Sequence, residues 1–361
     1  KTHKDKKKEP QKKTKENPAP PGGRRGSLPP EFALREEFFD MQYATIPFVG
    51  KSVPRLVFGT AVPYIQWGGD CDALFDAALA AGVTAFDTAR CYMRSENVLG
   101  GWMERRGVRD KIVLITKGGL DGMFGVKRLR DKCIRADLQA SMSALKTDFI
   151  DLYFLHRDDP SVPAGEIVER MNALIAEGKI GAYGASNWTH ERIEAAQEYA
   201  YRRGLQPFSA SQPHFGLAEA VREPWKGCLS LTGAKQAAAR AWYARTGLAV
   251  LAYSPLGRGM LSGKFKSGDA AGAKKAMDGA ARRGFLSAEN MERLRRTEEI
   301  AAQTGYTVPQ LALAWALGSE MNVFAVAGTS RVQGLEGDLS AIDIVLTPAQ
   351  RAYMDLKTES L

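Results

Sequence analysis

Short apolar runs alternate with longer amphipathic runs from about residue 55 to residue 340 of the chain. The apolar runs are rich in Val, Ile, Leu, Phe and Ala, and they predict strands that are covered on both faces. The longer runs carry apolar residues three or four positions apart, which predicts helices with one face against a core. This alternation is typical of repeated strand–helix units on a parallel sheet.

The pattern divides into strands and helices of ordinary length. The predicted strands cover residues 55–60, 83–87, 112–117, 150–156, 182–186, 208–212, 249–253 and 323–327. The predicted helices cover residues 71–81, 95–106, 128–145, 164–176, 191–203, 234–246, 288–304, 308–316 and 332–339. A stretch rich in Ala, Gly and Lys, residues 263–284, is predicted to be an inserted loop. Such an alternation over about 300 residues predicts a single-domain α/β protein, a closed (β/α)8 TIM barrel over residues 41–361.

A doubly wound open sheet is the alternative fold. Its dinucleotide-binding form needs a G-x-G-x-x-G sequence between the first strand and the first helix, and this chain has none there. The sequence Gly257-Arg258-Gly259 lies late in the chain, after a proline, and is a weak match. The barrel is therefore the preferred prediction.

The first 40 residues differ in composition from the rest. They are rich in Lys and Pro and are predicted to be a disordered extension. Of the net charge of +9, ten Lys or Arg against three Asp or Glu place +7 in residues 1–25 and leave +2 for the remainder, so no nucleic-acid-binding face is expected on the barrel. The tail is open to three interpretations: a nucleic-acid or membrane-surface arm, a natural leader, or vector-derived sequence. A compact domain beginning at Met41 favours a dispensable extension.

Four cysteines, Cys71, Cys91, Cys133 and Cys228, are scattered without a C-x-x-C pair or a nearby His cluster. Neither a metal site nor a disulfide framework is expected, and the cysteines are interpreted as free thiols in a reducing compartment. No apolar run approaches the length of a membrane span, and no signal peptide is recognised. These features predict a cytoplasmic protein without a membrane partner.

Polar side chains stand at or just after the ends of three consecutive predicted strands. They are Asp87, Tyr92, Lys117 and His156. Each alone has an ordinary explanation as a turn cap, a surface aromatic or a core histidine, but in a barrel the carboxyl ends of adjacent strands meet at one mouth. We expect Lys117 to lower the pKa of the Tyr92 phenol, Asp87 to hold Lys117, and a neutral His156 to orient a substrate oxygen.

Residues 87–100 contain the motif D-T-A-x-x-Y-x-x-S-E-x-x-L-G. Lys117, His156, GASN at 184–187, YSPLGRG at 253–259 and GTSR at 328–331 follow in order. With these motifs the chain resembles the aldo-keto reductase family over nearly its whole length from Met41. The resemblance implies reduction of a small aldehyde or ketone by a nicotinamide cofactor, usually NADPH, bound in extended form across the barrel mouth. It matches Asp87, Tyr92, Lys117 and His156 to the catalytic tetrad, with Tyr92 as the proton donor.

The resemblance also implies a set of cofactor-binding residues. It matches Ser186, Asn187 and Gln212 to the carboxamide site, Tyr253 to the ring that stacks on nicotinamide, Ser254, Leu256, Gly257 and Lys264 to the pyrophosphate site, and Gly328, Thr329, Ser330 and Arg331 to the adenosine-phosphate site. Small residues ahead of a helix let backbone N–H groups reach phosphate, and Arg331 offers a fork for a 2′-phosphate. Local hydrogen bonding for Asn187 and Gln212, and a solvated helix-start charge for Arg331, are the alternatives.

The chain departs from the family pattern at several positions. Met93 follows the tyrosine where a small residue is usual, and Gly334, Gly337 and Asp338 replace larger or amide side chains near the adenosine end. NADPH is therefore expected, with NADH as the alternative. The substrate is left open because it depends on loops 118–127, 216–233 and 263–284, with Trp188 and residues 157–160 beside the mouth.

Two other functional hypotheses stand beside the reductase. One is a non-catalytic NADP(H)-binding barrel with a regulatory or sensor role. The other adds to the enzyme a Lys-rich tail that recruits RNA or anionic lipid. The oligomeric state is not predicted.

Overall fold

The computed structural model of the chain describes residues 41–122 and 125–361. Within these ranges, eight parallel strands close into a barrel, since the last barrel strand pairs with the first. The strands are a hairpin of β1 (Tyr43–Thr45) and β2 (Ser52–Pro54), and the barrel strands β3 (Leu56–Gly59), β4 (Ala85–Asp87), β5 (Val113–Gly118), β6 (Ile150–Leu155), β7 (Ile180–Ser186), β8 (Ala210–Gln212), β9 (Ala249–Tyr253) and β10 (Val323–Ala327). The predicted (β/α)8 barrel is confirmed. The expected extension at residues 1–40 lies outside the described residues.

Helices surround the barrel and bury their apolar faces against its outer side. They are α1 (Pro63–Gln66), α2 (Asp72–Ala80), α3 (Ser95–Arg106), α4 (Asp131–Leu145), α5 (Ala164–Ala176), α6 (His190–Arg203), α7 (Ala237–Thr246), α8 (Ala270–Ala276), α9 (Gly279–Phe285), α10 (Ala288–Thr304), α11 (Val308–Leu317), α12 (Val332–Leu339) and α13 (Pro348–Met354). Side-chain caps fix several of the starts: Thr189 accepts from the N–H of Arg192 in α6, and Ser287 accepts from that of Asn290 in α10.

The barrel strands are apolar on both faces because they separate two cores. In β3, Val57 faces the barrel interior while Leu56 and Phe58 pack with the helices. Side chains fill the barrel interior, and Phe154 is the largest one that β6 contributes. Gly184 on β7 makes room for it, since a Cβ at Gly184 would collide with the Phe154 ring.

The β1–β2 hairpin closes the N-terminal end of the barrel. Its Ile46, Val49 and Val53 join the interior core. Beside it, the buried carboxylate of Asp151 accepts from Nζ of Lys51 at 2.9 Å and pairs with Nη2 of Arg109 at 2.8 Å. The barrel therefore has a packed floor, and its other end, where the strands terminate, is the accessible one.

Several elements differ from the sequence-based expectation. The predicted loop 263–284 contains α8 and α9, and each begins at an aspartate whose side chain caps it, Asp269 and Asp278. Those two caps outweigh the glycine content that favoured a loop. The hairpin strands, α1 and α13 were not predicted because each is only three to seven residues long. In the described part of the chain, no helix is long and apolar enough to cross a membrane, the four cysteines are free, and no cluster of His, Cys, Asp or Glu could hold a metal ion.

Candidate active site

Asp87 and Lys117 form a buried ion pair at the carboxyl ends of the neighbouring strands β4 and β5. Nζ of Lys117 lies 2.6 Å from Oδ2 of Asp87 and donates a second hydrogen bond to the carbonyl oxygen of Thr88 at 2.7 Å. The other carboxylate oxygen accepts from Nε2 of Gln212 at 2.9 Å. Because buried charges need partners, this network fixes both side chains in place.

The phenol of Tyr92 lies beside this pair, in the loop that follows β4. Nζ of Lys117 is 5.1 Å from the centroid of the Tyr92 ring. Burial, and next the negative charge of Asp87, raise the pKa of Tyr92 well above its ordinary value of 10. The expected net lowering of this pKa is therefore wrong, because burial and Asp87 dominate the shift. The ammonium is already paired with Asp87, while desolvation penalises the phenolate.

His156 directly follows β6 and faces Tyr92. The two rings meet edge to face, with centroids 5.9 Å apart and planes at 83°. Burial, and then the charges of Lys117 and Arg157, lower the pKa of His156 well below 6.5. The imidazole is therefore neutral at physiological pH, as expected. Its Nδ1 lies 3.5 Å from Sγ of Cys91.

The four residues assigned to the nicotinamide end meet at the carboxyl ends of β7, β8 and β9. Oδ1 of Asn187 accepts from the hydroxyl of Tyr253 at 3.0 Å, and Nδ2 of Asn187 donates to Oγ of Ser186 at 2.9 Å. Oγ of Ser186 donates to the carbonyl oxygen of Gln212 at 2.9 Å. Asn187 also has a left-handed backbone, with φ of 62°. Non-glycine residues held in this conformation concentrate at functional sites.

The segment after β9 forms a tight turn. Ser254 has φ of 51° and Gly257 has φ of 58°, and a Cβ at Gly257 would lie 2.6 Å from Cβ of Ala218. Leu256 lies between them, and Lys264 follows as an exposed cation. The turn therefore presents backbone at close range, as a phosphate cradle requires.

The segment after β10 lies next to that turn, because Val326 pairs with Tyr253 in the barrel. A Cβ at Gly328 would collide with the carbonyl oxygen of Gly59, so only glycine fits there. The Thr329 hydroxyl accepts from the N–H of Arg331 at 3.1 Å. Ser330 and Arg331 are exposed, and Arg331 directly precedes α12 without a side-chain cap hydrogen bond.

Two of the departures from the family pattern have local explanations. A side chain at Gly334 would collide with the Thr329 hydroxyl, so the missing side chain accommodates that turn. Burial raises the pKa of Asp338 to about 7, so this acid carries only part of its charge near neutral pH. Met93 is exposed at the rim, with φ of 50°.

These segments fit an extended dinucleotide. The carboxamide candidates at the ends of β7 and β8, the stacking candidate Tyr253 on β9 and the two candidate cradle segments after β9 and β10 follow one another around one rim. Phosphate sites after the last two strands recur in barrels of this type. The cradle at Gly328 and the left-handed Asn187 and Ser254 are the structural observations that favour a cofactor at this rim.

A cavity of about 380 Å³ lies at the opposite end of the barrel and is lined by residues that include Lys51, Arg109 and Asp151. Its two cations already bond the Asp151 carboxylate. In barrel enzymes this end serves stability rather than catalysis. The rim is therefore the candidate active site.

The sequence interpretation missed part of the rim network. Leu229 accepts from the Tyr253 hydroxyl through its carbonyl oxygen at 3.4 Å and donates from its N–H to Oδ1 of Asn187 at 2.9 Å. Nη2 of Arg157 donates to Sγ of Cys228 at 3.3 Å. The sequence placed residues 157–160 beside the mouth but did not predict this contact. The segment around Cys228 has no local signal, since its partners are distant in sequence.

The closed barrel with this rim defines a class of protein, the NAD(P)H-dependent oxidoreductases that act on small carbonyl compounds. The sequence matches the model of the aldo/keto reductase family over residues 56–359, and the chain belongs to that family.

Three known proteins are similar to this chain over most of its length. Aldo-keto reductase str7 of Strobilurus tenacellus is 30% identical over 289 residues, 77% of this chain and 78% of that protein. The uncharacterized oxidoreductase YrpG of Bacillus subtilis is 29% identical over 324 residues, 85% of this chain and 92% of that protein. A probable voltage-gated potassium channel subunit beta of rice (Oryza sativa subsp. japonica) is 28% identical over 323 residues, 85% of this chain and 94% of that protein.

Proposed function

We propose that this protein reduces small aldehydes or ketones to alcohols, with NADPH as the cofactor and Tyr92 as the proton donor. The observation that carries the proposal is the ammonium of Lys117. It is held by Asp87 and by the Thr88 carbonyl oxygen, and it lies 5.1 Å from the centroid of the Tyr92 ring. A proton donor, a cation to stabilise its anion and a carboxylate to fix that cation thus stand together.

A bound reduced nicotinamide supplies the hydride that adds to the carbonyl carbon. As the carbonyl oxygen gains negative charge, the Tyr92 hydroxyl gives it a proton. Burial keeps the pKa of Tyr92 high, so the phenol starts the reaction protonated. The ammonium of Lys117 has three N–H groups, and in the described part of the chain two of them bond Asp87 and Thr88, which leaves one to stabilise the phenolate. A cation 4 Å from a forming anion contributes roughly 4 kcal/mol gross at an effective dielectric near 20.

The other assigned residues bind the cofactor and orient the substrate. Neutral His156 donates an N–H to the carbonyl oxygen and directs it towards Tyr92. Ser186, Asn187 and Gln212 hold the carboxamide, and Tyr253 stacks on the nicotinamide ring. Ser254, Leu256, Gly257 and Lys264 hold the pyrophosphate, and residues 328–331 hold the adenosine end. The exposed guanidinium of Arg331 is the reason to prefer NADPH to NADH. The absence of a membrane-spanning helix from the described residues agrees with a cytoplasmic location, which we also propose.

The second candidate is a cofactor-binding regulatory barrel that does not turn over. The relative from rice, whose name is that of a probable channel subunit, is the observation that favours it. Steady-state measurement of NADPH oxidation with a panel of aldehydes, ketones and sugars separates the two functions. Turnover of any of them supports the reductase. Tight NADPH binding without turnover across the panel would favour the regulatory barrel.

A further inference from the structure

The guanidinium of Arg157 lies at the rim without a carboxylate partner. Nη1 donates to the carbonyl oxygen of His156 at 2.9 Å, and Nη2 donates to Sγ of Cys228 at 3.3 Å. Within residues 41–122 and 125–361, it forms no ion pair. A half-buried cation of this kind is unusual, because partly desolvated charges ordinarily find a counter-charge.

The nearby carboxylates are engaged elsewhere. Asp87 is bonded to Lys117 and Gln212. Asp158 pairs with Nε of Arg192 at 3.3 Å, and Oε2 of Glu223 accepts from the N–H of Gly227 at 2.8 Å. Among the described residues, none of these carboxylates pairs with Arg157, and the adjacent His156 is neutral, so the guanidinium has no counter-charge in direct contact.

That charge acts on the groups assigned to the reaction. Burial raises the pKa values of Tyr92 and Tyr253 well above 10, and the positive charge of Arg157 opposes both shifts. The same charge helps burial and Lys117 to lower the pKa of His156. Arg157 also directly follows His156 and bonds its carbonyl oxygen, so an anion bound to the guanidinium would lie near His156.

The guanidinium also has donors to spare. It carries five N–H groups, and its contacts with His156 and Cys228 use two of them in the described part of the chain. Arginine offers parallel N–H groups in the geometry that a carboxylate accepts. Arg157 lies just after β6, beside His156, whereas the cradle segments follow β9 and β10.

We infer that Arg157 binds a carboxylate of the substrate, and that the preferred substrates are aldehyde acids or keto acids. The reduction itself rests on the proposed function, whereas binding of a carboxylate by Arg157 does not depend on turnover. Cofactor phosphate is the other source of an anion at this rim, and the experiment includes an arm that separates the two.

The test compares two substrates of nearly the same shape, 4-carboxybenzaldehyde and its neutral methyl ester, methyl 4-formylbenzoate, with the full-length holoenzyme. The ratio of kcat/KM for acid over ester is measured in the wild type, Arg157→Gln, Arg157→Lys and Arg135→Gln. Arg157→Gln should lower the ratio about 10- to 100-fold, the range expected for charge-assisted hydrogen bonds. Arg157→Lys should keep part of it. Arg135, which pairs with Asp131 and Glu177 on the outer helices, is the matched control and should leave the ratio as it is.

Each outcome either supports or contradicts carboxylate binding by Arg157. An unchanged ratio in Arg157→Gln overturns the inference, including the case in which both rates fall in parallel because the contact with His156 is only structural. An NADPH dissociation constant that rises as much as the ratio falls assigns Arg157 to cofactor phosphate and also overturns it. If the wild type turns over neither of these substrates nor any compound of the aldehyde, ketone and sugar panel, the proposed function fails, and calorimetric titration with benzoate still decides the inference. Wild type should then bind benzoate about 10-fold more tightly than Arg157→Gln, and equal affinities would refute it.

Discussion

Nε2 of Gln212 lies 2.9 Å from Oδ1 of Asp87, although 125 positions separate the two residues along the chain. One belongs to the residues assigned to the nicotinamide carboxamide, and the other fixes the ammonium of Lys117. The hydrogen bond joins the two halves of the proposed site into one buried network. A cofactor that displaces the Gln212 amide would therefore also act on the carboxylate that orients Lys117.

Replacing Tyr92 by Phe should remove most turnover and little cofactor binding. Loss of a general acid lowers kcat by about 10²- to 10⁴-fold. The NADPH dissociation constant, measured by cofactor fluorescence, should change by less than about 3-fold because the hydroxyl is lost only from the reacting end. Full turnover by Tyr92→Phe in the NADPH oxidation assay would eliminate Tyr92 as the proton donor.

Stability and activity should respond differently when Asp87 and Lys117 are replaced singly and together in a double-mutant cycle. Lys117→Met leaves a buried carboxylate without its counter-charge, and the free energy of unfolding should fall by about 3–5 kcal/mol in urea denaturation. Adding Asp87→Asn removes that charge and should restore about 1–3 kcal/mol. The double variant should remain inactive. Additive losses of stability would show that the two groups do not depend on each other.

Arg331 should discriminate between the two nicotinamide cofactors. Arg331→Ala removes a fork available to the 2′-phosphate and should raise the NADPH dissociation constant about 10-fold or more, with little change for NADH. Lys264→Ala is the matched control, because a pyrophosphate contact is common to both cofactors and both constants should rise together. If Arg331→Ala weakens both cofactors equally, Arg331 does not recognise the 2′-phosphate.

Asp338 should make stability depend on pH in the direction opposite to an ordinary carboxylate. Burial raises its pKa to about 7, against about 3.9 in an unfolded chain. Between these values the folded state binds more protons than the unfolded state, so the free energy of unfolding decreases as pH rises from about 4 through 7. The shift is worth at most about 4 kcal/mol, and less because the side chain is partly exposed.

Asp338→Asn cannot ionise, so it should be more stable than the wild type at pH 8, where Asp338 is mostly charged, by about 1–3 kcal/mol. At pH 5 the two proteins should differ by less than about 1 kcal/mol. Urea denaturation at both pH values measures the difference. The same gain at pH 5 and pH 8 would show that protonation of Asp338 is not its source.

The sequence allowed the barrel and its rim to be predicted because both depend on short-range patterns. A buried strand appears in the sequence as an apolar run. A polar residue at the end of such a run, such as Lys117 or His156, can be recognised before its spatial neighbours are known. The parallel order of strands then brings these ends together. The assignments of Ser186 or Arg331 came from resemblance to the family rather than from the pattern itself.

What could not be predicted depends on contacts between distant residues or on burial. The contact of Arg157 with Cys228 joins positions 71 residues apart and has no sequence pattern. The direction of the Tyr92 pKa shift follows from how deeply the phenol is enclosed and how completely Asp87 compensates Lys117. Neither quantity is contained in the spacing of the motif.

The hairpin of β1 and β2 closes the barrel at its N-terminal end. Ile46, Val49 and Val53 fill that end, so no passage leads through the lumen from one side of the molecule to the other. Substrate and product would therefore pass the same rim loops on their way to and from Tyr92. Oxidised cofactor would leave by the same opening, so a compound bound there would block both binding and release.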